Sequence, residues 1–182
     1  MNPYQTMWIS TLALALVAGW TDWRSRKIPN WLTVTGFFAG FTMNIVLWGW
    51  HNTNWHGGKA SLEGAGLALV LFLPFVLLRG LGAGDWKLMG AVGAFAGPVL
   101  LLFIIVGSVF VAGIMAMVEV LRQRRIKETA RNLVILVQGF FAFGLRNRPD
   151  ITIDNPGLMK VPFGVAVAMA TGICYCAALW AL

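Results

Sequence analysis

Charge is what this chain lacks most. Only 12% of its 182 residues are Asp, Glu, Lys or Arg, against about 25% in an ordinary soluble domain. With 58% hydrophobic residues and a mean hydropathy of +0.74, it would expose large apolar patches in water and aggregate. In a bilayer, lipid tails cover the same surface. Acids are scarcer still, seven against fourteen Lys and Arg, for a net charge of +7. In a soluble protein that surplus would raise nucleic-acid binding. Here the basic residues sit in the gaps between apolar stretches, and base-stacking motifs and finger spacings are missing. The expected partner is the lipid bilayer and not nucleic acid.

Metal-ligating residues are few as well. The two cysteines, Cys174 and Cys176, stand two apart in the last apolar stretch. On a helix that spacing points the thiols about 200° apart, against a shared metal or a mutual disulfide, and they read as buried spectators. His51 and His56 lie five apart with no acid or cysteine to join them, so they read as part of a polar loop with interfacial aromatics. No metal or cofactor is expected. Residues 1–21 contain no Lys or Arg. That run therefore lacks the positive n-region of a secretory signal and reads as a retained first span.

A hydrocarbon core about 30 Å thick needs about 20 apolar residues per helix. Spans are expected near 3–21, 31–50 and 62–79. A longer apolar stretch, 86–121, is interrupted by Gly97-Pro98. Because proline starts helices well and interrupts them badly, it divides into 86–97 and 98–121. A last span at 161–182 makes six, in an all-α polytopic bundle forming one membrane-embedded domain over 1–182. With six spans, only Lys59 of the fourteen Lys and Arg falls on the far side. The positive-inside rule then makes the basic side cytoplasmic and puts both termini outside. Five spans would split Arg24 from the basic cluster of the 122–160 loop. Within that loop, 129–145 is apolar and flanked by arginines, which suits an interfacial helix.

Of the seven acids, Glu128, Asp150 and Asp154 fall in the long basic loop, and Glu63 and Glu119 lie near span ends. Asp22 and Asp85 remain, both at cytoplasmic ends of spans. Asp22 follows the first span in Thr21-Asp22-Trp23-Arg24-Ser25-Arg26-Lys27-Ile28-Pro29-Asn30. An acid there opposes the helix dipole, and Arg24, Arg26 or Lys27 could compensate. Alone it fits a surface ion pair. Pro29-Asn30 reads as the turn opening the next helix. Asp85 ends a glycine-rich stretch, Gly80-Leu81-Gly82-Ala83-Gly84-Asp85. A nucleotide-binding loop would need a preceding strand in a βαβ unit, and the pattern offers none. Alone, Asp85 fits a helix N-cap. Together the two are more specific. Ionisable groups near a membrane interior are costly and tend to be functional. Two carboxylates within a few Å cannot both ionise easily, so they share a proton. One can then act as base towards water and the other as acid towards a peptide carbonyl or leaving amine. The rival class is an ion or proton-coupled transporter, whose paired acids would lie near mid-span.

Gly82-Ala83-Gly84-Asp85 resembles the G-x-G-D signature of intramembrane aspartyl proteases. Its extension to Lys87-Leu88-Met89 resembles the form in type IV prepilin peptidases. Asp22 to Asn30 resembles that family's first aspartate motif, and Val161-Pro162-Phe163-Gly164 the proline motif opening its last helix. The matches come in the family's order. The resemblance implies that Asp22 and Asp85 are the catalytic pair and that Gly82 and Gly84 let the backbone lie close to the substrate strand. It implies cleavage at the cytoplasmic face of a bacterial inner membrane, after the glycine that ends a short basic leader of a prepilin or pseudopilin. Larger members carry an N-terminal region with paired C-x-x-C motifs and also methylate the new N-terminus. This chain shows no such motifs, so a peptidase without zinc or methyltransferase activity is expected. Lys87 and Arg79 read as inside-positive anchors, with a second possibility that Lys87 tunes Asp85.

Overall fold

The computed structural model describes residues 2–51, 55–77, 81–122 and 162–180. They form five helices: α1 (Pro3–Ser25), α2 (Asn30–Trp48), α3 (Gly58–Leu77), α4 (Ala83–Arg122) and α5 (Phe163–Trp180). No strand occurs among the described residues. Four of the helices, α2 to α5, are long and apolar enough to cross a bilayer. The chain is thus an all-α polytopic membrane protein. The set of six spans is not reproduced as six such helices. α1 has the length but carries Gln5, Thr6, Ser10, Thr11 and Thr21, and 86–97 and 98–121 appear as limbs of one helix. The first limb, 83–96, is about 21 Å long at 1.5 Å per residue, short of a hydrocarbon core. Residues 123–161, where the interfacial helix at 129–145 is expected, lie outside the described residues, as does Arg79.

Local chemistry sets the helix ends. Asn2 caps α1 by accepting from the Tyr4 amide at 3.3 Å, with Pro3 at the first turn. α1 closes on Arg26 in the left-handed region (φ 54°, ψ 28°), whose N–H donates to the Asp22 carbonyl at 2.8 Å. Pro29 then caps α2, its carbonyl accepting from Leu32 and Thr33. The Pro29-Asn30 turn stands where the sequence puts it.

The division of the long apolar stretch is a single residue, Gly97, at φ 70° and ψ 175°. A Cβ there would come within 2.6 Å of the Trp55 carbonyl, so both conformation and space require glycine. Pro98 has no N–H, which removes the helical donor to the Ala94 carbonyl. Neighbouring helices make good the loss. Ser61 Oγ donates to Ala94 O at 2.6 Å, and Asn44 Nδ2 donates to Ala94 O at 2.8 Å and Phe95 O at 3.2 Å. Asn44 Oδ1 in turn accepts from the Gly57 amide at 3.1 Å. In a lipid setting, where water is not at hand, such satisfaction is obligatory. Beyond the break the chain runs back: Leu100 lies beside Tyr4 and Trp8, and Gly107 against Ala170 of α5.

Small residues let the helices close up. Gly64 of α3 and Gly93 of α4 meet backbone to backbone, so a Cβ on Gly64 would overlap the Gly93 carbonyl. Gly36 and Gly40 of α2 admit Leu14 and Phe95. The core between the helices holds Leu14, Leu88, Met89, Val92, Leu101, Ile104 and Val167. Buried Thr11, Ser108 and Thr171 donate their hydroxyls to the carbonyl four residues back. Large apolar side chains such as Val46, Phe103 and Phe110 face outwards, as lipid contact requires. Cys176 faces outwards too, while Cys174 is half-buried. Only one of the two thiols is therefore even partly inside.

At the end of the bundle away from Asp22, the His56 ring stacks on Trp48 (4.6 Å, 20°) and meets Tyr4 edge-on at 5.0 Å. The polar loop between α2 and α3 is thus anchored by aromatic packing.

Candidate active site

Asp22 stands in the last turn of α1, past the apolar run 3–21. A carboxylate there faces its own helix's carbonyl end, an unfavourable field. It is nevertheless only 6% exposed. The compensation comes from another helix. Pro162 caps α5, its carbonyl accepting from Val165 and Ala166. The amide of Gly164, in the first turn, has no helical acceptor. That amide donates to Asp22 Oδ2 at 2.8 Å. Asp22 thus receives the positive end of α5 in exchange for the negative end of α1. Burial pushes its carboxyl above the usual carboxylate range, while the Gly164 amide and the Arg26 charge pull it back. Of the three cations considered as compensators, Arg26 acts on it.

Asp85 lies in the first turn of α4, half-buried. Gly82 caps the helix by accepting from the Trp86 amide at 3.2 Å, and its own amide acts on the Asp85 carboxylate. Asp85 is within electrostatic reach of Asp22. Two contacts join the surrounding segments. A Cβ on Gly84 would meet Ile28 at 3.3 Å, so the bare backbone of the α4 start lies on the α1–α2 turn. Lys87 Nζ donates to Asn30 Oδ1 at 3.1 Å. On the other side Trp86 Nε1 donates to the Leu69 carbonyl at 2.8 Å, one residue from the carbonyl that Pro74 deprives of its helical donor.

Asp22, Gly82, Gly84 and Asp85 therefore gather at one end of the bundle. Gly84 faces Ile28, whereas a Cβ on Gly82 would meet only the Asp85 side chain, 3.0 Å from Oδ2. Gly164, Ile28 and Asn30 lie inside the motifs that carry the resemblance, but the sequence assigns none of them a role in this site. Pro162 signals a helix start with unpaired amides, but nothing local names the acceptor. Lys87, read as an anchor or a modulator of Asp85, is engaged with Asn30. Among the described residues no group of three His, Cys, Asp or Glu could hold a metal ion.

Two carboxyl groups at one end of a helical bundle, each met by a backbone amide, can accept and release protons. A model of the type IV leader peptidase family matches residues 9–117, a stretch that contains both aspartates. No curated protein and no solved structure matches the chain. With well over half of its 182 residues covered, this membrane-embedded chain belongs to the type IV leader peptidase family and is a peptidase.

Proposed function

We propose that the chain is an aspartyl endopeptidase of a bacterial inner membrane. It removes the short basic leader of prepilin-like substrates at the cytoplasmic face, after a glycine, with Asp22 and Asp85 as the catalytic pair. The observation that carries this reading is the meeting of two motifs some sixty residues apart in the chain. The start of α4 packs on the turn after α1 through Gly84–Ile28 and Lys87–Asn30, with Asp85 in electrostatic reach of Asp22. A pair of carboxyls in a poorly solvated site holds one proton between them. The ionised member takes a proton from water as the water oxygen attacks the peptide carbonyl. The protonated member gives its proton to the carbonyl oxygen. On collapse the carboxyl that took the water's proton gives it to the leaving amine, the other carboxylate takes one back from a hydroxyl of the tetrahedral intermediate, and the C–N bond breaks. Gly82 and Gly84 keep the backbone bare beside the pair, where an extended substrate strand approaches. Carboxyls at a bundle end, not at mid-span, speak against the transporter alternative.

Co-expression with a prepilin, followed by gel shift of the leader, tests this. Asp22→Asn and Asp85→Asn should each abolish cleavage while the protein still inserts. Processing at the wild-type rate by either variant removes that residue from the pair.

A further inference from the structure

We propose that Gly164 is a positioning residue for the reaction: its amide and its lack of a side chain fix Asp22 Oδ2, leaving Oδ1 to the water. The inference rests on the catalytic reading of Asp22 above. Three observations lead to it. First, Oδ2 is engaged by the Gly164 N–H at 2.8 Å, in a buried setting. Second, the space beside that amide is closed. A Cβ on Gly164 would stand 3.0 Å from Asp22 Cβ, 3.1 Å from its Oδ2 and 3.3 Å from the Ala18 carbonyl. Third, the donor belongs to the first turn of a helix whose next residues pack on α1, since a Cβ on Gly19 would meet Ala168 and the Gly164 carbonyl. The amide is therefore held by the seam between the two helices and cannot turn freely away.

Two consequences follow for chemistry. A carboxylate with one oxygen fixed presents the other in a set direction, which is what proton transfer at hydrogen-bond range needs. A hydrogen bond to the ionised form also favours that form. The other groups that bear on the Asp22 charge are Arg26 from its own helix end and Asp85 from α4. Neither is among the three atoms nearest a Cβ at Gly164. Adding a methyl there must push the Asp22 side chain by a few tenths of an ångström and lengthen the bond to Oδ2. An error near 1 Å can cost about a hundredfold in rate, so a smaller one should cost about tenfold.

The test compares Gly164→Ala with Gly107→Ala, an equally tight packing change against Ala170 of the same helix that meets neither Gly164 nor Asp22. Purified proteins in detergent micelles are assayed for cleavage of a prepilin across pH, with circular dichroism to report the folded fraction. Gly164→Ala should lose about tenfold in kcat with KM within about twofold. The acid limb of its kcat profile should move to higher pH, by up to about one unit, because a weakened bond to the carboxylate makes protonation easier. Gly107→Ala should leave the acid limb in place. Wild-type kcat and acid limb in Gly164→Ala would overturn the inference, as would an equal kcat loss and limb shift in Gly107→Ala. Absence of cleavage by the wild type, or full cleavage by Asp22→Asn, would instead overturn the reading of Asp22 on which it rests.

Discussion

Replacing Asn44 with alanine would strike the break in α4 from outside it. Asn44 serves Gly40, Ala94 and Phe95 through Nδ2 and the Gly57 amide through Oδ1. Gly40 belongs to Asn44's own helix, and Ala94 O keeps Ser61 Oγ at 2.6 Å. The Phe95 carbonyl and the Gly57 amide each lose their bond to Asn44. A buried unpaired polar group costs about 1–3 kcal/mol, which sets a ceiling of about 6 for the two. Measured side-chain hydrogen bonds in membrane proteins average only about 0.6 kcal/mol and reach about 1.7. The expected loss is therefore about 2 kcal/mol. Ser61→Ala should cost under about 1 kcal/mol, because Asn44 still serves Ala94. The double variant strips Ala94 O altogether and should exceed the sum by about 1 kcal/mol. Unfolding in mixed detergent micelles, followed by tryptophan fluorescence, measures all three. The limb before the break carries Asp85 at its far end, so cleavage should fall in step with the loss of the folded state. An Asn44→Ala protein within about 0.5 kcal/mol of wild type, or strict additivity in the double variant, would refute the claim that these two side chains jointly satisfy the broken helix.

Gly93→Ala would put a methyl 2.5 Å from the Gly64 carbonyl oxygen and 2.7 Å from its carbon. Backbone cannot step aside as a side chain can, so a loss of about 3 kcal/mol is expected in the same assay. Gly66→Ala, which meets open space, should be neutral or gain up to about 1 kcal/mol. Lys87→Met and Asn30→Ala should each lower cleavage about three- to tenfold, the range of one hydrogen bond to a charged group discounted for exposure. The double variant should fall no further, and independent losses would show that the Lys87–Asn30 bond is not what either side chain contributes. The orientation in the membrane is checked by thiol labelling of intact cells. Lys59→Cys should react from outside and Arg125→Cys should not, and the opposite pattern would invert the topology.

The sequence by itself determined the solvent and the helical class, and it singled out the two carboxyls of the candidate site. Scarce charge and long apolar runs leave a backbone no hydrogen-bond partners but its own, which makes helices obligatory in lipid. Pro29 and Gly97-Pro98 marked a turn and a break because proline's missing N–H acts wherever it occurs. Asp22 and Asp85 stood out because uncompensated acids beside apolar runs are expensive. The sequence did not determine how many helices are apolar enough to span, since α1 mixes hydroxyls with its apolar residues and the first limb of α4 is short. Only the tertiary structure decided what compensates each broken rule. Asn44 and Ser61 reach Ala94 from fifty and thirty-three residues away, and Gly164 reaches Asp22 from 142 residues away. Such pairings depend on which helix faces lie together, and helix packing is set by small residues fitting backbone to backbone. That geometry is a property of the assembled bundle and leaves no mark in any single segment.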